Sequence, residues 1–175
     1  MDLHFRSPEL HDVERARGEA LSVGIYSDER PPHGVAGLLD WRLCGRLSRL
    51  LKRGVFLGEL GEGVLLPSAG RLSFEKVFLH GLGERAQFDL ERSAQVVDRM
   101  LRTLARAGAR SSAIVLPGRL RLSRRDAMTQ LLRLSDGYPE LDELTLVESG
   151  DAQRVLVSVV EGERRRARAL AMRDD

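Results

Sequence analysis

Apolar residues along this chain recur with two periods, and the switches between them mark the elements. "ALSVGIY" (20–26) is a near-continuous apolar run and predicts a buried strand. "SDERPPHG" breaks it, with Pro31, Pro32 and Gly34 marking a loop. From Val35 to Leu51 the spacing lengthens to three and four residues. Leu39, Leu43, Leu47 and Leu50/Leu51 form one stripe, with Trp41 and Cys44 on its flanks, so a helix is predicted that Gly54 stops. "EGVLLP" (62–67) and "KVFLHG" (76–81) read as short strands.

The segment 89–106 carries the clearest helical pattern, with Ala94, Val97, Leu101 and Leu104/Ala105 on one side. Asp89 is a good N-cap, Glu91 suits the positive end of the helix dipole, and Gly108 ends the element. "SSAIVLPG" (111–118) predicts a fourth strand, Ser123 and Asp126 a capping box opening a helix through Leu132, and "ELTLVE" (143–148) a fifth strand. The tail fits two patterns. Val155, Val157, Val159 and Val160 favour a strand after an "SGD" turn, whereas Ala152, Val155/Leu156 and Val159 fit a helical stripe. Strands alternating with helices predict a three-layer α/β domain.

One short pattern invites a sharper reading. Gly81, Gly83 and Ala86 satisfy G-x-G-x-x-A after a strand. A dinucleotide turn must lead directly into a helix whose N-terminus receives the pyrophosphate. Here the predicted helix starts several residues later, Glu84, Asp89 and Glu91 would surround the phosphate with negative charge, and the next strand ends without a ribose-binding acid. The pattern reads instead as a tight connection.

Composition narrows the classes further. The 175 residues favour one domain, and 42% hydrophobic content supports a core without staples. Cys44 is the single cysteine, so no internal disulfide forms, and its place beside the apolar stripe predicts a packed thiol. No apolar run approaches the roughly 18 residues of a membrane span, and "MDLHFRSPELHD" lacks the pattern of a signal peptide, so a cytoplasmic location is expected. The net charge is +2; the pI of about 9.1 reflects bases that are nearly all arginine, Lys52 and Lys76 excepted.

Candidate chemistry is sparse. His4, His11, His33 and His80 show no local zinc-ligand spacing, and no metal site or cofactor is predicted. Ser68, Ser73 and Ser123 lack a nucleophile-elbow context. Asp40, Asp89 and Asp98 read as capping or surface carboxylates. His80 ends a strand beside Gly81, where parallel sheets place ligands, which makes His80, Gly81 and Gly83 the candidate ligand-binding residues. Arg164, Arg165, Arg166 and Arg168 form a basic cluster, "GRLRLSRR" (118–125) another; without interleaved aromatics, nucleic-acid binding is not expected. Residues 164–175 read as a fraying basic tail.

The stretch "FLGELGEGVLLPSAGRLSFEKVFLHGLGERAQFDLERSAQVVDRMLRTLARAG", with "GLLDWRLCGRLSRLLKRG" before it, resembles the N-terminal domain of the leucyl aminopeptidase family, itself related to macro domains. The resemblance covers roughly residues 20–163, and "GDAQ" (150–153) with "EG" (161–162) looks like the family's linker-proximal helix, tipping the tail toward helix. It implies a macro-like fold: a central mixed, mostly parallel sheet with helices on both faces. The family's two-metal catalytic half has the signature Asn-Thr-Asp-Ala-Glu-Gly-Arg, and these residues contain no asparagine at all. No catalytic or metal residue carries over.

The expectation is therefore a single non-catalytic domain over 1–175 that acts by associating with a protein partner or its own copy. The valine-rich tail supplies the candidate interaction residues Val157 and Val160. The alternative is a macro-like binder, or weak hydrolase, of an ADP-ribose or other nucleotide-type ligand, although the macro asparagine and a run of three glycines are missing.

Overall fold

The computed structural model describes residues 1–171 apart from Arg17 and Leu120. Six strands form one sheet in the order β1 (Asp2–Arg6), β6 (Glu143–Val147), β5 (Ser111–Ile114), β2 (Ala20–Ile25), β4 (Lys76–Gly81), β3 (Gly63–Pro67). All neighbours run parallel except β3, which returns antiparallel along β4 and forms one edge. The central strands β2 and β4 are buried on both faces, which is why they read as continuous apolar runs.

Helices cover both faces. On one side α1 (Leu10–Arg15), α2 (Gly34–Arg42) and α3 (Arg46–Lys52) enclose a core around Val23, Leu39, Leu47, Phe56 and Phe74. On the other, α4 (Leu90–Arg106), α5 (Arg124–Ser135) and α6 (Gly150–Ala171) enclose Val97, Leu101, Leu104, Met128, Leu131 and Leu156. Asp89 caps α4 by accepting from the Arg92 N–H, and Ser123 caps α5 through the Asp126 N–H. The predicted α/β class, the mixed sheet and the two-sided helical cover are all present.

Two parts of the chain depart from the sequence pattern, and a third resolves an ambiguity toward the helix that the resemblance implied. The stripe at 35–51 is two helices. Cys44 (φ 55°) and Gly45 (φ 74°) turn the chain in left-handed geometry, and Asp40 accepts from the Ser48 N–H at 3.0 Å to start α3. Cys44 is consequently exposed, with an Arg71 Nη1 3.2 Å from its sulfur, and is not the packed thiol that an unbroken helix implied. The N-terminal β1 and α1 carried no prediction. The tail is helical: α6 runs from Gly150 to Ala171 and includes Arg164 to Arg168. The remainder of the expected basic tail, 172–175, lies outside the described residues.

Candidate functional site

At the carboxyl ends of β2, β5 and β6 the chain leaves a cleft, the position where open α/β sheets bind ligands. Its charged groups come from the loops after β2, β4, β5 and β6 and from the start of α5. Glu29, in the loop after β2, accepts from the His33 N–H at 2.7 Å and from Arg85 Nη2 at 3.3 Å. The Arg85 guanidinium lies 5.0 Å from the centre of the Tyr26 ring, and Tyr26 meets Phe88 edge-on at 5.4 Å. Across the cleft, Glu148 follows β6 and is 3% exposed. Arg124 Nη1 donates to it at 2.9 Å and Arg124 Nη2 donates to the Pro117 carbonyl at 3.2 Å.

Burial raises the Glu148 carboxyl above its usual value, with Arg124 pulling the other way. Burial likewise raises the Tyr26 phenol, opposed by Arg85. Each of these two ion pairs neutralises itself, and Arg119, exposed on the cleft lining, adds a positive charge beside Glu148. Three buried polar atoms of these residues have no partner, Tyr26 Oη, Arg85 Nε and Arg124 Nε. The floor is tight: Leu82 packs over Gly24, where an added Cβ would stand 2.6 Å from Leu82 Cδ2. The cleft holds about 140 Å³, below the roughly 300 Å³ at which drug-sized pockets begin.

The candidate ligand residues lie elsewhere. Gly81 packs against the 58–60 loop so closely that an added Cβ would overlap the Glu59 carbonyl oxygen. Gly81 N donates to Glu62 O and Gly83 N to Gly58 O. These glycines hold a neighbouring loop against the strand end, and neither lines the cleft. His80 points to the α4 side of the sheet, 2% exposed, with Nε2 2.8 Å from the Ser22 hydroxyl. Its pKa is lowered to about 4, first by burial and then by the Arg99 charge. Of the candidate interaction residues, Val157 is 38% exposed and Val160 is buried in the α4–α6 core.

The sequence reading missed Tyr26, Glu29, Arg85, Arg124 and Glu148. Glu148 and Arg124 stand at the end of a strand and the start of a helix that it did identify, and strand-end position was the available signal. Among the described residues no group of three or more His, Cys, Asp and Glu side chains comes together to hold a metal ion. None of the described helices is long and apolar enough to cross a membrane.

Similarity to known proteins agrees with this architecture. Probable cytosol aminopeptidases of Idiomarina loihiensis and Halorhodospira halophila are each 32% identical over 103 and 106 residues, 59% and 61% of this chain. The chain spans about a fifth of those relatives' length. A mutant tomato leucine aminopeptidase superposes with a TM-score of 0.63 at 18% identity, covering 91% of this chain and 35% of that one. A Trypanosoma brucei macrodomain solved in complex with ADP-ribose superposes at 0.67 with 17% identity, covering 90% and 68%. The model of the cytosol aminopeptidase family's N-terminal domain matches residues 22–135, and the chain belongs to that family through this macrodomain-like domain.

Proposed function

We propose that this domain works by associating with protein, its own copy or another, and catalyses no reaction of its own. The observation that carries the reading is apolar surface beyond what the core consumes. Trp41 on α2 is 67% exposed, and tryptophan is enriched among the residues that anchor interfaces. On α6, Leu156, Val159 and Val160 already fill the core while Val155 and Val157 remain exposed. The pairing of Glu29 with Arg85 and of Glu148 with Arg124 supports the non-catalytic part. A cytoplasmic setting belongs to the same proposal, supported by the relatives' description as cytosol aminopeptidases. Light-scattering mass across a dilution series tests it, with Trp41→Ala and Val157→Asp as variants. A monomer at every concentration, together with variants that change no binding to a co-purifying protein, would overturn it.

A second reading is a nucleotide-type ligand in the cleft. The unpartnered Tyr26 Oη and Arg124 Nε favour it, as does the fold shared with a macrodomain solved with ADP-ribose. The small volume and the inward carboxylates of Glu29 and Glu148 weigh against it. ADP-ribose at 100 times its dissociation constant would stabilise the fold by about 2.7 kcal/mol, a shift that a thermal melt resolves.

A further inference from the structure

The two edges of the sheet are built differently. β1 exposes Asp2, His4 and Arg6, polar and charged groups that discourage pairing with another strand. β3, "GVLLP", carries no charge, and Leu65 is 53% exposed on it. Among the described residues no strand lies beyond β3. The loop before it turns away from the edge. Residues 58–62 fold back over the ends of β4 and β2, where Gly81 N donates to the Glu62 carbonyl and Gly58 lies against the Tyr26 backbone. The Glu62 carboxylate is occupied inside that loop, accepting from the Leu57, Gly58 and Glu59 N–H groups.

The ladder shows which main-chain groups of β3 are free. Gly81 N donates to Glu62 O at one end, and Ser68 N donates to Glu75 O at the other. Hydrogen bonding alternates along an antiparallel pair, so the even residues from 62 to 68 face β4. The N–H and C=O of Gly63 and Leu65 therefore point away from the sheet, as does the Pro67 carbonyl. Arg46 Nη1 already reaches that carbonyl at 3.3 Å, and proline has no N–H to offer. Before the strand, Gly61 has φ 93°, outside extended geometry, and its carbonyl accepts from Arg99 Nη1 at 2.5 Å. The open stretch is Gly63, Val64 and Leu65, closed on both sides.

We propose that β3 pairs with β3 of a second copy of this chain, antiparallel across a two-fold axis at Val64. The proposal rests on the association reading and gives it a place on the molecule. The free groups set the register. Centred on Val64, Gly63 stands opposite Leu65 of the other copy, and the two exchange both of their N–H···O=C bonds. Centred on Leu65, Gly63 would meet Pro67, which cannot donate. Centred on Gly63, Leu65 would meet Gly61, whose carbonyl is taken. The side chains agree with the Val64 register. Leu65 lies on the α4 side of the sheet, where it borders Phe78 and Thr103, so it would cover the Gly63 of the other copy, a position with no side chain. Val64 would meet its own counterpart on the opposite face, beside the core under α1 to α3. A foreign strand could take the main-chain bonds but would lack this reciprocal fit, which a self-complementary two-fold contact requires.

The test uses the intact chain, with light-scattering mass over a dilution series and amide hydrogen exchange read by NMR at both ends of it. A dimer should form as concentration rises. The Gly63 and Leu65 amides should exchange freely in the monomer and at least about tenfold more slowly in the dimer, whereas Val64 and Leu66, bonded to β4, stay protected in both. Leu65→Lys, at an exposed edge position, should melt as the parent does and weaken the dimer at least about tenfold. In a Cys44→Ser background, Val64→Cys should crosslink to its own copy under mild oxidation, because a non-hydrogen-bonded pair sets Cα atoms about 4.5 Å apart. Leu65→Cys, which faces Gly63 instead of its counterpart, should not. Full dimer affinity in folded Leu65→Lys, or protection of Gly63 and Leu65 only when a different protein is bound, would overturn the self-pairing. A dimer that Trp41→Ala or Val157→Asp disrupts while those two amides stay unprotected would also overturn it and leave the association reading standing. A monomer throughout overturns the pairing, and overturns the association reading as well only when no co-purifying protein binds.

Discussion

Ser22 Oγ and His80 Nε2 lie 2.8 Å apart across the adjacent strands β2 and β4, and both residues are buried. A hydroxyl and an imidazole thus occupy the middle of a sheet whose neighbours are Leu21, Val23, Val77 and Leu79. The pair is tolerable only while the ring is neutral. Burial and the Arg99 charge both oppose its protonation.

Acid should therefore destabilise the domain through His80. The folded-state pKa is lowered from 6.5 to about 4. Between those values the unfolded chain binds the proton and the folded one does not, so stability falls as pH drops from 6.5 to 4. The full shift corresponds to a loss of about 3 kcal/mol from this group. Urea denaturation at pH 7, 5.5 and 4 measures it. The double variant Ser22→Ala, His80→Leu removes both polar groups and should flatten that part of the pH profile. An unchanged slope in the double variant would show that His80 is not its source.

Gly81→Ala should be among the more damaging single-methyl additions in this chain. The new Cβ would overlap the Glu59 carbonyl oxygen, and that oxygen belongs to backbone. The loop at 58–60 must then move away from the strand end and break the Gly83 N to Gly58 O bond of 2.9 Å. The expected cost is about 2–4 kcal/mol, the range of overpacking plus a lost buried hydrogen bond. Gly150→Ala, with open space around its Cβ, should cost little by the same thermal melt.

Much of this fold is legible in the sequence, for a physical reason that differs between elements. The strands β2 and β4 announce themselves because burial on both faces forces continuous apolar runs. The helix α4 does so because Asp89, Val97, Leu101 and Leu104 agree on one boundary and one face. The break at Cys44–Gly45 is not visible in the leucine stripe, since both halves keep the same spacing. It depends on Asp40 reaching the Ser48 N–H, a contact across eight residues. Similarly, "VLVSVV" fits two periods, and packing of Leu156, Val159 and Val160 in the core beside α5 decides the helix. The cleft was the least legible part. Glu29 with Arg85 and Glu148 with Arg124 are pairs separated by 56 and 24 residues, and such distances leave no local spacing to read. Gly81 and Gly83 pack against the 58–60 loop, a long-range contact that a local glycine spacing does not reveal.

Breaking the Arg124–Glu148 pair from one side should be costly. Arg124→Met leaves a carboxylate that is 3% exposed without its partner, and such uncompensated buried charges cost about 3–5 kcal/mol. The penalty should be pH dependent. Burial already raises the Glu148 carboxyl and Arg124 counteracts it. Without Arg124 the folded pKa climbs further above the unfolded value of 4.5, so protonation rescues the variant as pH falls from 7 to 5. The double variant Arg124→Met, Glu148→Leu should recover most of the loss at pH 7. A penalty equal at both pH values would mean that lost packing of the arginine stem, not stranded charge, is responsible.

The final prediction separates two valines three residues apart on α6. Val157 is 38% exposed and Val160 is 8% exposed within the core that α4, α5 and α6 share. Aspartate at 160 places a charge beside Leu3, Leu132 and Leu141. It should cost about 1–3 kcal/mol, because the carboxylate is desolvated in the apolar core, with Arg133 and Arg164 on the same pocket limiting the loss. Aspartate at 157 meets solvent and should change stability by no more than about 0.5 kcal/mol. Only Val157→Asp can therefore report on association, and any effect of Val160→Asp on binding must first be read as loss of fold. Circular dichroism melts establish the first difference. Mass by light scattering, run on Val157→Asp at matched concentrations, then asks whether this side of α6 belongs to an interface. If Val157→Asp melts as early as Val160→Asp, residue 157 is part of the core and the association reading loses its α6 support.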